Sequence, residues 1–80
     1  MSAASEVIAD RHAVREARRR NPGTLCRTGM VDWCRANGLD YATLMSPGYP
    51  VSVLRATGDP LALPVIKAAE RRAAKGDRHG

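Results

Sequence analysis

The stretch Trp33-Cys34-Arg35-Ala36-Asn37-Gly38-Leu39-Asp40-Tyr41 decides the fold, because it ends one helix and starts another within a few residues. Upstream of it, Cys26, Met30, Trp33, Cys34 and Asn37 recur at spacings that place them on one helical face. Gly38 stops that helix, since a glycine just past the last turn takes the left-handed conformation without a Cβ clash. The start is read at Thr24, with Thr28 as the alternative N-cap. Asp40 is a good N-cap for a short third helix. Tyr41, Leu44 and Met45 lie at i, i+3 and i+4 of it and point one way.

Working outward, Ser46-Pro47-Gly48-Tyr49-Pro50 ends the third helix in a rigid, exposed corner rather than a strand. Val51–Ala56 reads as a short helix or a short strand. The helix is preferred, because Pro50 suits a first helical position, Thr57-Gly58 supplies a stop, and no second strand offers itself for pairing. Asp59-Pro60 reads as the N-cap and first residue of a final helix running to about Ala74. Pro64 predicts a kink there or a start at Leu63. Towards the N-terminus, Ser5 caps a helix that runs to Arg20 and is stopped by Asn21-Pro22-Gly23.

The expected architecture is all-α, a small domain of four to five short helices with basic N- and C-terminal arms. Residues 1–23 form the N-terminal helix or arm, 24–74 the helical core, and 75–80 a polar tail. Met30, Trp33, Cys34, Leu39, Leu44, Leu54, Leu61, Val65 and Ile66 are the expected core. With no Phe and one Trp that core is thin, so the domain is expected to draw support from a partner or from self-association into a homo-oligomer.

Charge is unevenly placed. Residues 1–20 hold five Arg and three acids, 21–64 three Arg and three Asp, and 65–80 five Lys or Arg and two acids. The centre is neutral and the ends carry the excess of the net +5. Arg11, Arg15, Arg18 and Arg19 share a face of the first helix, and Lys67, Arg71 and Lys75 recur along the last. These stripes suit an acidic protein surface or a phosphate backbone. Without interleaved aromatics they do not suit stacking on single strands. Trp33 reads as core, and Tyr49, between Gly48 and Pro50, as an exposed anchor for a partner.

No catalytic constellation is legible. Nucleophilic catalysis needs a nucleophile with an adjacent base, and the two His, His12 and His79, lie near opposite ends of the chain. Gly38, Gly48 and Gly58 each end an element and form no phosphate loop. Cys26 and Cys34, on one helix, would be about 12 Å apart along its axis, too far for a disulfide. They fit no zinc-ligand spacing with either His. The chain is therefore expected to be no enzyme and to need no cofactor or metal.

Trp33–Leu44 has the spacing of a helix-turn-helix, but Pro47 cuts the second helix short and its exposed positions offer no Arg, Lys, Gln or Asn to read bases. No run nears the ~20 apolar residues of a membrane span, and Met1–Arg20 lacks a signal-peptide run, so a cytoplasmic or virion location is expected.

Val31–Tyr41, followed by Val53-Leu54-Arg55-Ala56-Thr57-Gly58-Asp59 and an Ala- and Val-containing helix, resembles a group of small proteins encoded in tailed phages and prophages. In that group an aromatic-containing helix ends in an Asn-Gly-Leu-Asp-aromatic turn, and a Leu-x-Ala-Thr-Gly-Asp turn leads into a final helix. The likeness covers residues 31–74 and departs from the pattern at Ser46–Pro50, Pro60 and Pro64. It implies a viral origin and carries over no catalytic or binding residue. The resulting expectation is a non-enzymatic phage or prophage protein that is virion-associated or acts in assembly. It would work by contact with a phage structural or host protein. A DNA-binding or regulatory module is the alternative, with nucleic acid held by the basic arms.

Overall fold

The computed structural model describes residues 6–76. The elements in chain order are β1 (Ile8–Ala9), α1 (Arg11–Arg20), α2 (Arg27–Ala36), α3 (Tyr41–Met45), β2 (Tyr49–Pro50), α4 (Val51–Ala56) and α5 (Ala62–Gly76). Among the described residues helix outweighs strand by 64 % to 6 %, so the helical class stands in its main part. The short antiparallel pair β1–β2 is the departure from all-α, with Ile8 opposite Pro50 and Ala9 opposite Tyr49.

That pair corrects two expectations. The first helix does not include Val7 and Ile8. Asp10 caps it instead, its carboxylate accepting the His12 N–H at 3.0 Å. The proposed cap Ser5 lies outside the described residues. The freed segment serves α4, whose N-cap Pro50 supplies no side-chain bond. The Val7 carbonyl accepts the Val51 N–H at 2.9 Å, and the Glu6 carboxylate accepts the Ser52 N–H at 3.3 Å. The segment before α1 thus satisfies the open first turn of α4, and Tyr49-Pro50 becomes a strand through the same approach.

The α2–α3 corner forms as its residues dictate. Gly38 has φ +71. The Leu39 N–H donates to the Cys34 carbonyl at 2.7 Å and the Gly38 N–H to the Arg35 carbonyl at 3.3 Å, the paired bonds of a Schellman stop. Asp40 then accepts from both the N–H and the hydroxyl of Thr43, at 3.0 and 2.9 Å. Helix α2 starts at Arg27, earlier than Thr28 and later than Thr24, after an N-cap Cys26 that makes no side-chain bond. Val51–Ala56 is helical, as its flanking turns imply.

A tight turn leads into α5. Asp59 Oδ1 accepts the Leu61 N–H at 3.0 Å, and the Asp59 and Pro60 carbonyls accept from Ala62 and Leu63. The helix then starts at Ala62, which places Pro64 in the first turn, where a missing N–H removes no intrahelical bond.

Met30, Trp33, Cys34, Leu44, Leu54, Val65 and Ile66 are buried as expected, while Leu39 and Leu61 are half-buried against them. Leu25, outside the expected core, is buried, and Cys26, expected on the face of Met30, Trp33 and Cys34, is exposed. Ala9, Ala13, Val14, Ala17 and Val51 join the core, with Ala62, Ala68 and Ala69 of α5. Helix α1 is accordingly a packed element rather than a loose arm, and its contact with α5 is the most extensive between any two elements. Trp33 fixes α2 to the α4–α5 turn, its indole Nε1 donating to Asp59 Oδ2 at 2.7 Å.

Candidate anion-binding groove

Helix α1 buries Ala13, Val14 and Ala17. At about 100° per residue, two charged faces flank that buried strip. On one side lie Arg11, Arg15 and Arg18, and on the other Glu16 and Arg20. Each face borders a groove.

The first groove, of about 230 Å³, is lined by Arg11, Val14, Arg15 and Arg18 of α1, Arg27 of α2, and Tyr41 and Met45 of α3. None of its lining residues is acidic. The Asn21-Pro22-Gly23 turn brings Arg27 across to α1, with Gly23 at φ +85. Arg18 holds the returning chain, its Nε donating to the Leu25 carbonyl at 2.6 Å. Arg18 Nη2 is buried without a hydrogen-bond partner, while Arg11, Arg15 and Arg27 are exposed.

The second groove, of about 380 Å³, lies between α1 and α5 and is lined by Arg20, Asn21, Pro60, Leu63, Pro64, Lys67 and Arg71. Its charge is partly spent. Glu16 accepts from Arg71 at 3.0 Å and from Arg20 at 3.3 Å. Among the described residues the remaining ion pair is Arg55–Glu70, at 3.0 Å. Arg11, Arg15 and Arg27 take part in none of the three.

The hydrogen bond from Arg71 holds the Glu16 carboxyl below the usual carboxylate range, with its charge and that of Arg20 adding to the effect against the opposing cost of burial. A lowered folded-state pKa means stability that is present above the unfolded value and is lost as pH falls through the folded one. Glu16→Gln is therefore expected to flatten the acid limb of a stability–pH profile below about pH 4.3, as followed by urea midpoints. An unchanged acid limb would remove Glu16 from that role.

The expected contact residues divide between these places. Arg11, Arg15 and Arg18 converge on the first groove. Arg19 is exposed and lines neither groove, since the eighth residue on from Arg11 has turned about 80° away from it. Lys67 and Arg71 line the second groove, and Lys75 is exposed beyond both. Tyr49 is not an exposed anchor. It is half-buried in β2, and its hydroxyl accepts the Asp40 N–H at 2.9 Å, joining the corner to the start of α3. Arg27 is not marked by the sequence pattern, because its role arises across a turn and helical spacing within one element carries no sign of it.

The groove has no nucleophile. Cys34 is fully buried elsewhere, and burial pushes its thiol pKa up, with the Asp40 charge adding to the effect. Among the described residues no group of three or more His, Cys, Asp or Glu side chains could hold a metal ion. No helix in them is long and apolar enough to cross a membrane. No protein-family model, curated protein or solved structure matches the chain at a significant level.

Proposed function

We propose that this chain is a non-enzymatic small phage or prophage protein that acts by protein contact, as a component of the particle or of its assembly. The supporting observation is the α1–α3 groove, where four arginines from two helices meet with no acid among them. Most carboxylates are already used within the fold. Asp10, Asp40 and Asp59 cap or anchor, Glu16 and Glu70 pair with arginines, and Glu6 accepts from α4. The phage assignment comes from the two turn motifs, Asn37–Tyr41 and Leu54–Asp59. The α3 segment supports base reading poorly, since its exposed positions are Asp40, Ala42 and Ser46.

The test is to express the tagged chain during phage production and band the particles in a density gradient. The expected result is that the chain travels with particles or their precursors. A chain that stays in the soluble fraction and binds duplex DNA with steep salt dependence would replace this proposal with the DNA-binding one.

A further inference from the structure

We infer that the α1–α3 groove receives an acidic segment of another protein, one that places a large apolar side chain between flanking carboxylates. This rests on the chain acting by protein contact, and it specifies where and with what. The walls are Arg11, Arg15, Arg18 and Arg27, and the floor is apolar, formed by buried Val14 and half-buried Tyr41 and Met45. Arginine and tyrosine are side chains on which interfaces concentrate their binding energy. Methionine adapts to the shape of an inserted group. Arg18 adds its charge to the wall, held in place by the bond from its Nε to the Leu25 carbonyl. Carboxylates can accept charge-assisted bonds from the exposed guanidinium groups of Arg11, Arg15 and Arg27.

Size and charge select among occupants. A volume of about 230 Å³ lies below the ~300–1,000 Å³ of small-molecule sites, and it suits one or two side chains. A DNA duplex, whose major groove alone is about 12 Å wide, would meet the arginine rim and leave the apolar floor unused. A second copy of the chain brings net charge +5 against a groove of the same sign. An acidic, partly apolar protein segment uses both walls and floor.

The test is fluorescence anisotropy with a dye-labelled, Glu-rich helical peptide carrying one Leu per turn, against the same peptide with Ser for Leu and against a random-sequence duplex DNA. The proteins are wild type, Arg15→Glu, Arg27→Glu, Met45→Ala and the charge-matched Lys75→Glu, each checked for an unchanged helical spectrum. The Leu peptide is expected to bind wild type and to weaken by about tenfold or more with Arg15→Glu or Arg27→Glu, against about twofold with Lys75→Glu. Met45→Ala is expected to narrow the preference for Leu over Ser. Equal losses from Arg15→Glu and Lys75→Glu would overturn the inference, leaving only diffuse charge attraction. Absence of peptide binding would also overturn it, even for a chain that bands with particles, since contact would then use another face. Duplex DNA that binds more tightly than the peptide and responds to the same variants would make the groove a nucleic-acid site.

Discussion

Gly48→Ala is expected to cost about 3 kcal/mol or more, well beyond the same change at Gly38 or Gly58. Gly48 has φ +101, and a Cβ built there would lie 2.6 Å from the Ala9 carbonyl oxygen, 2.8 Å from Ile8 Cγ2 and 2.9 Å from Asp10 Cβ. The left-handed conformation costs an L-residue roughly 1–2 kcal/mol, and forcing atoms apart in a packed place adds about 1–3 kcal/mol. The yielding element would be backbone of β1, so relief would break the β1–β2 pair and loosen the acceptors that Glu6 and Val7 bring to α4. Gly38 and Gly58 share the positive φ, but a Cβ there meets nothing within 4 Å. They are expected to lose only the conformational part, about 1–2 kcal/mol. An 80-residue chain has roughly 4–12 kcal/mol in all, so Gly48→Ala removes a large share. Urea midpoints of the three variants give the ranking. Equal losses at all three positions would mean that the close approach of β1 does not constrain position 48.

Asp59→Ala is expected to cost about 3 kcal/mol. One carboxylate oxygen accepts the Trp33 indole N–H at 2.7 Å and the other accepts the Leu61 N–H at 3.0 Å. Hydrogen bonds to a charged group contribute roughly 1.5–3 kcal/mol where partly buried, and loss of a helix-start acceptor costs about 1 kcal/mol. Both donors would be left without that acceptor, and Trp33 is only 9 % exposed. Asp59→Asn keeps one good acceptor and is expected to lose about half as much. Trp33 is the only tryptophan, so its emission reports the same contact, with a larger change expected for Ala than for Asn. A cycle with Trp33→Phe isolates the pair, and coupling near zero would show that Asp59 acts only on the start of α5.

What could be read from the sequence was local. Gly38 and Asp40 define the α2–α3 corner, and Thr57-Gly58 and Asp59 define the passage from α4 to α5, because turn and cap chemistry is complete within a few residues. Helical spacing within single elements likewise placed Met30, Trp33, Cys34, Leu44, Val65 and Ile66 in the core. The β1–β2 pair was not legible, since two residues per strand carry no alternation and Ile8 meets Pro50 across the length of three helices. Nor was the docking of α1. Its buried strip is Ala13, Val14 and Ala17, and alanines carry little hydrophobic signal even where they let two helices approach closely. The candidate site was half legible. Arginine spacing on α1 marked one wall, but Arg27 and the floor of Tyr41 and Met45 belong to other elements, and Tyr49 proved to be a fold contact.

The packing of α1 against α5 sets an order on how the protein can be made. A chain leaving the ribosome presents α1 long before α5 exists, since α2, α3 and α4 lie between them. Until α5 has emerged, the strip of Ala13, Val14 and Ala17 lacks the helix that α1 contacts most, and a ten-residue helix is marginal alone in water. The core is therefore completed only once α5 has been synthesised. A nascent chain halted before α5 would lack the helix that holds α1, and with it one wall of the arginine groove.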